Sequence, residues 1–345
     1  MTIPTLPGLT DWVSRLKLRH LRVLVAISRH GSLTAAAGAL NMSQPAVSKW
    51  LADIESALGV PLFVRGRRLR PTIYAEALVR HAEQMLGEAR RMHEEVEAIH
   101  EGASGVLRIG TMAVTAPVLL PRAIHRLRST GSSLRIVLIE DIAVGLWPRF
   151  ERNELDIIVG RLEEHTHAVR YAAESLYVDP YCVIAGPQHP LARARKPSWE
   201  RAASYPWILP PATTPLRDAF DATFASQGLP LPRPWLESVS FTANQVILRD
   251  SECLGISSRS VARHYQSMGV LKALPLDLTI GIHPLSMVWR DADPSPSIRR
   301  ALQVMREVAR YKKPKRFFFW EAMPKSAYGK ITKKMIREEL ARRGD

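Results

Sequence analysis

Residues 18–72 read LRHLRVLVAISRHGSLTAAAGALNMSQPAVSKWLADIESALGVPLFVRGRRLRPT, and the spacing of apolar side chains in this stretch decides the fold of the amino-terminal part. Leu21, Leu24, Val25 and Ile27 fall at helical intervals, and His30-Gly31 stops that helix. SLTAAAGAL predicts a second, short helix with Ser32 as its N-cap and small residues that allow close helix contact. Asn41-Met42 makes a tight turn, and Ser43 is placed to cap a third helix. Pro45 is tolerated there because first-turn N–H groups have no intrahelical partner. Val47, Leu51, Ile54 and Leu58 then repeat at intervals of four, three and four, which buries one stripe and turns Gln44, Ser48 and Lys49 outward.

Two short helices joined by a tight turn, the second polar at its outer N-terminal end, form a helix-turn-helix. Gln44 can pair bidentately with adenine, Ser48 can give or accept a bond, and Lys49 can reach guanine or phosphate. VPLFVRGRRLRPT follows as a two-stranded wing carrying Arg65, Arg67, Arg68 and Arg70, suited to phosphates or a narrow minor groove. The charge distribution agrees. Of a net +15, residues 15–80 contribute +8, from 11 Lys and Arg against 3 Asp and Glu; residues 310–345 also contribute +8, from 12 against 4. The stretch 81–309 has 25 of each sign, and Asp11 closes the sum. A basic terminal module beside a neutral body points to a polyanion partner, double-stranded DNA first.

These strings, SQPAVS and LGVPLFVR above all, resemble the LysR-type transcriptional regulators, a likeness that extends more loosely to about residue 308. The resemblance implies that the start of the recognition helix and a wing arginine touch DNA. By motif position those roles fall on Gln44, Pro45, Ser48, Lys49 and Arg65, with Arg67 beside them.

Thr72 can cap a long helix running to about Gly102, in which Leu78, Ala82, Met85, Ala89, Met92, Val96 and Ile99 repeat with a 3.5-residue period. That period predicts a coiled coil with a second copy, and the resemblance implies a homodimer or homotetramer. GASG at 102–105 is a hinge-like break. After it VLRIGTM, LRIVLIED and LDIIVGRL alternate with helical stretches, and a second alternating set runs from YVDPYCVIAG to CLGISSRS. LSMVWR and the helix PSIRRALQVMREVA are expected to return to the first set. Alternation of this kind implies parallel sheets that bind ligands at the carboxyl ends of their strands. The chain is therefore expected to be α/β: a winged helix-turn-helix over 16–72, a coiled-coil linker helix over 73–102, a two-lobed periplasmic-binding-protein-like effector domain over 106–308, and an appended basic tail over 309–345.

Between the lobes a small-molecule effector, a carboxylate or a sugar, would meet hydroxyls and helix N-termini. By position the candidates are Thr111 and Thr115 in the first lobe, Arg161 after LDIIVG, and Thr213 or Thr214 before a second-lobe helix; an arginine favours a carboxylate. Cys182 and Cys253 sit in apolar strings and read as core. The sequence has no HExxH, no GxSxG and no phosphate-binding glycine loop after a strand, so neither catalysis, metal nor cofactor is expected. No apolar run nears the length of a membrane span, and the start lacks a signal-peptide pattern, so a cytoplasmic protein is expected.

The end of the chain departs from the regulator pattern. YKKPKRFFF followed by MPKSAYGKI resembles the last segment of adenylate-forming enzymes of the acyl-CoA synthetase type, in which Lys330 would fall on the lysine that helps form the acyl-adenylate. The rival reading is thus an acyl-adenylating enzyme. The segment covers only about 35 residues and the large nucleotide-binding domain is missing, so the tail is expected to be chemically idle.

Overall fold

The computed structural model of the chain describes residues 16–64, 66, 68–162, 171–278, 282–290 and 294–309. Arg65, Arg67 and the tail from residue 310, with Lys330, lie outside the described residues.

Among the described residues three helices build the amino-terminal module: α1 (Leu18–His30), α2 (Leu33–Leu40) and α3 (Gln44–Leu58). Their ends are written in the sequence. Gly31 closes α1 at φ 63°, Ser32 Oγ accepts the Ala35 N–H at 3.4 Å, Asn41 turns at φ 54°, and Gly59 ends α3 at φ 70°. Ser43 holds the N-cap position of α3, yet its side chain makes no cap bond. Val47, Leu51, Ile54 and Leu58 are buried as the spacing requires, against Leu21, Leu24 and Ile27 of α1 and Ala36 and Ala37 of α2. The wing strands β1 (Phe63–Val64) and β2 (Arg70–Pro71) are antiparallel and two residues long.

Helix α4 (Ile73–His100) starts at Thr72, whose Oγ1 accepts the Ala75 N–H at 3.4 Å. Its first turns belong to the module, with Ala75 and Ala82 in the helical core. Farther along, Met85, Met92, Val96 and Ile99 of the 3.5-residue stripe stand exposed, Met92 at 64%. The GASG break is a bonded joint. Ala103 N–H donates to Ala98 O at 2.8 Å, and Arg135 N–H donates to Gly105 O at 3.0 Å.

The remainder forms two α/β lobes, each around a five-stranded sheet. In the first lobe β3 (Val106–Thr111), β4 (Arg135–Glu140) and β5 (Ile157–Arg161) run parallel, joined by β6 (Ala172–Tyr177) and by β12 (Leu285–Trp289), in the order β4-β3-β5-β12-β6. Helices α5 (Leu119–Ser129), α6 (Ala143–Glu151) and α12 (Pro296–Ala309) accompany it. The second lobe has the order β11-β7-β10-β8-β9, with β7 (Tyr181–Ala185), β8 (Trp207–Leu209), β9 (Pro234–Glu237), β10 (Leu254–Ser258) and β11 (Lys272–Leu278). Its helices are α7 (Pro190–Arg193), α8 (Trp199–Ala203), α9 (Pro215–Ser226), α10 (Phe241–Arg249) and α11 (Arg259–Ser267).

The chain crosses between lobes twice, after β6 and again before β12. LSMVWR does return to the first sheet, where β12 pairs antiparallel with β5 and β6. Strands β5, β7, β10 and β12 are buried along their whole length, as sheets covered on both faces require, whereas edge strand β4 has an alternating, more exposed pattern. Trp207, Phe220 and Phe224 form the aromatic centre of the second lobe.

Candidate functional site

Two places hold the residues singled out above. The first is the N-terminal turn of α3, where Gln44, Pro45 and Lys49 are exposed and Ser48 is half-buried. The buried stripe fixes the orientation of the helix: with Val47 and Leu51 inward, Lys49 points to solvent. The wing base lies at the other end of the same helix, where Glu55 Oε1 accepts the Leu62 N–H at 2.7 Å. Arg68 is exposed on the wing.

The second place is the hinge between lobes. Arg161 ends β5, is 5% exposed, and stacks 4.1 Å over the Tyr181 ring. Its guanidinium donates to Asp179 O at 2.7 Å and to His283 O, one carbonyl from each crossing segment. One side chain therefore ties both crossovers to the first lobe. Burial lowers the Arg161 pKa and pushes the Tyr181 hydroxyl up to about 12. The Arg161 Nε–H and the Ser258 hydroxyl are buried without a hydrogen-bond partner among the described residues. Ser258 lies opposite Tyr181 in the β10–β7 register, so its side chain shares the face on which Arg161 stacks. The Asp179 carboxylate accepts from the Ser260 N–H at 3.2 Å and from its hydroxyl.

Thr111 and Thr115 are fully buried with their Oγ1 atoms 2.7 Å apart, and Thr115 Oγ1 donates to Val159 O at 3.0 Å. They brace the turn between β3 and α5 onto β5. Helix α5 begins at Leu119, four residues past Thr115, after a turn in which the Ala116 N–H donates to Met112 O at 3.1 Å and the Leu119 N–H to Thr115 O at 3.2 Å. Thr214 caps α9, accepting the Arg217 N–H at 3.4 Å and donating to Pro211 O at 2.8 Å. The structure thus brings Thr111 and Thr115 together, sets Arg161 at the hinge, and gives Thr214 a capping role. Sequence reading missed Ser258, Asp179 and Tyr181. The signal for Ser258 was there, a hydroxyl where strand CLGIS meets helix SRSVARH, the position Thr111 holds at the end of β3.

Residues 18–76 match the family described as bacterial regulatory helix-turn-helix protein, lysR family, and residues 100–310 match the LysR substrate binding domain. The chain belongs to the LysR family. It is similar to the HTH-type transcriptional regulator GbpR of Azospirillum brasilense, 32% identical over 296 residues that cover 85% of this chain and 86% of GbpR. It is also similar to the HTH-type transcriptional regulator PcaQ of Agrobacterium fabrum, at 28% over 86% of this chain and 96% of that protein. Among solved structures it shares the fold of CbnR, a LysR family transcriptional regulator, with a TM-score of 0.60 at 17% identity over 85% of this chain and 99% of that one. Full-length OxyR of Pseudomonas aeruginosa gives a TM-score of 0.54 at 21% identity, over 86% and 95%. This is a LysR-type transcriptional regulator with an effector-binding domain. Among the described residues no helix is long and apolar enough to cross a membrane, and no cluster of His, Cys, Asp and Glu could hold a metal ion.

In this LysR-type chain the linker helix is also fastened to the first lobe. Arg91 of α4 approaches Asp156, 2% exposed, at 2.5 Å, and Asp156 Oδ2 accepts the backbone N–H of Arg108 at 2.7 Å. The Arg108 side chain reaches back to Glu94 of α4, its Nε donating at 3.0 Å. A Cβ placed on Gly87 would fall 1.9 Å from Arg152 O, so helix and loop touch where only glycine fits. Asn153, at φ 59°, donates from Nδ2 to Gln84 O at 3.4 Å. Strand β5 thus begins one residue after the linker clamp and ends on the hinge arginine.

Proposed function

We propose that this regulator reads double-stranded DNA through Gln44, Pro45, Ser48 and Lys49 in the major groove and through the wing arginines Arg65 and Arg67 on the backbone or minor groove. The observation that carries it is the outward N-terminal turn of α3, held by a fully buried stripe beside the wing. The working unit is a homodimer, or a homotetramer built from it, paired along the exposed face of α4, and it acts in the cytoplasm. Met85, Met92, Val96 and Ile99 support this, since a 3.5-residue apolar stripe left in water has the form of a coiled-coil seam. The division into 16–72, 73–102, 106–308 and 309–345 follows these roles. The tail is an appendage, Lys330 has no adenylation site to serve, and the protein is not an enzyme.

The effector sits between the lobes, and a carboxylate is favoured over a sugar. Arg161 supports that choice, because its buried Nε–H and the neighbouring Ser258 hydroxyl both lack, among the described residues, an acceptor that an anionic oxygen supplies. Thr111, Thr115 and Thr214 shape the strand and helix ends around it. The ligand acts by favouring one lobe arrangement over another, a population shift that β5 passes to the linker helix. Footprinting of the full chain on the DNA upstream of its own gene tests the reading. A protected site at moderate salt is expected, and Gln44→Ala should lower the preference for that site by about 1 to 3 kcal/mol. Absence of any sequence-specific protection would overturn it.

A further inference from the structure

Among the described residues the wing has little of its own to hold it. Its ladder pairs Phe63 with Pro71 and Val64 with Arg70, and Pro71 has no N–H to donate. A two-stranded ribbon of that length is not stable alone in water. Bonds around its base replace the missing ladder. Leu69 N–H donates to Gly31 O at 2.9 Å, tying one strand to the turn between α1 and α2. Thr72 donates its N–H to Leu62 O at 2.8 Å and its hydroxyl to Pro61 O at 3.0 Å. Glu55, from the last turn of the recognition helix, accepts the N–H of Leu62 at 2.7 Å and of Phe63 at 3.4 Å on one carboxylate oxygen.

Glu55 differs from the other two in what it connects. Gly31 and Thr72 fix the wing to its neighbours in the bundle and to the linker helix. Glu55 fixes it to the same rigid rod that carries Gln44 and Lys49, about 9 Å farther along at 1.5 Å per residue between Lys49 and Glu55. Bonds from amide N–H groups to a carboxylate are shorter and stronger than neutral ones, and the Leu62 bond to Glu55, at 2.7 Å, is the shortest of these ties. A wing whose arginines must meet the duplex while the helix is seated in the groove loses affinity if it must be ordered on binding.

We propose that Glu55 is a positioning residue for DNA recognition: its carboxylate sets the height of the wing that carries Arg68 and Arg70 relative to Gln44 and Lys49, so that groove and flanking contacts engage together. This rests on the DNA-reading surface proposed above. Glu55 touches no DNA itself.

The experiment compares the full-length wild type with Glu55→Ala, Glu55→Gln, Arg67→Ala and the Glu55→Ala, Arg67→Ala double variant, by titration and hydroxyl-radical footprinting on the upstream DNA. Alanine and glutamine remove the same negative charge, but the glutamine oxygen still accepts both N–H groups. The difference between them therefore reads the bond and not the field. Glu55→Ala is expected to bind about tenfold more weakly than Glu55→Gln, the worth of one or two such bonds. It should lose protection at the flanks while keeping it at the centre. The double variant should lose less than the product of the two single losses, since a tie that acts through the wing has less left to position once Arg67 is gone. Equal binding by the alanine and glutamine variants, or losses that multiply in the double variant, overturns the proposal. If Glu55→Ala does not fold, Glu55→Asp keeps the charge and shortens the reach by one methylene. It should then show the same flank-specific loss, and full protection by it refutes the idea. A wild type that protects no site would instead defeat the DNA-reading surface, a distinct outcome.

Discussion

The turn proposed to read DNA and the hinge proposed to hold the effector treat polar side chains in opposite ways. Gln44 and Lys49 project from a helix into water. Arg161 is buried, and two of its nitrogens are already bonded to backbone carbonyls. A surface meant for a large polyanion keeps its groups hydrated and loses little when one is removed, because the energy appears only on binding. A hinge meant for a small molecule keeps its groups desolvated, so each is also part of the fold. Function and stability separate at the first place and coincide at the second.

The sharpest way to break this contrast is to remove one buried charge and one exposed charge. Asp156→Ala leaves the buried Arg108 backbone N–H and the Arg91 guanidinium without their carboxylate at the linker clamp and should cost about 3 kcal/mol, read from urea unfolding. Lys49→Ala should change stability by less than about 0.5 kcal/mol while weakening DNA binding. Comparable stability losses in the two variants would erase the distinction. Next in size is Arg161→Lys, which keeps the charge but loses the planar fork that spans Asp179 and His283. Thermal shift with a panel of small carboxylates and sugars should find a stabilising acid for the wild type and a weaker or absent shift for the variant. A sugar that stabilises both equally would move the effector away from Arg161.

The smallest effect is a pH dependence. His189 is buried in the second lobe; its Nδ1 accepts the Leu191 N–H at 3.0 Å and its Nε2 faces Glu252 O at 3.1 Å. Burial lowers its pKa below the ordinary 6.5, the Glu252 carbonyl opposing. The unfolded chain then binds more protons than the folded one, so this contribution is present above pH 6.5 and is lost as pH falls through the folded value. Melting temperature followed from pH 7.5 to 5.5 should drop more steeply for the wild type than for His189→Gln. Parallel curves would remove His189 from the account.

Most of the module was legible because its signals are local. As helix caps Ser32, Gly31, Gly59 and Thr72 each act within four residues, and the stripe from Val47 to Leu58 needs only the helical period. Where reading stopped, the causes are physical. Ser43 stands at the N-cap position without its side chain bonding, which a residue type alone does not reveal. The period of α4 was readable, while its attachment to the first lobe joins residues 91 and 156 and depends on how a sheet is laid down. The hinge set is more remote still. Arg161 meets Asp179 and His283 across 18 and 122 residues, and each of those carbonyls belongs to a backbone whose side chain gives no hint of it.

The contact at Gly87 bears on how such regulators can be recombined. Sensor exchange between two proteins of this architecture invites a cut at residues 102–105, where the helix ends. Here the helix already carries the sensor's imprint two turns and more upstream, at Gln84, Gly87, Arg91 and Glu94. A graft made at Gly102 would place a foreign helix against Arg152 and Asp156, and any residue other than glycine at position 87 would hold it off. The seam that respects the structure lies before Gln84, so the second half of the linker helix travels with the lobe it touches.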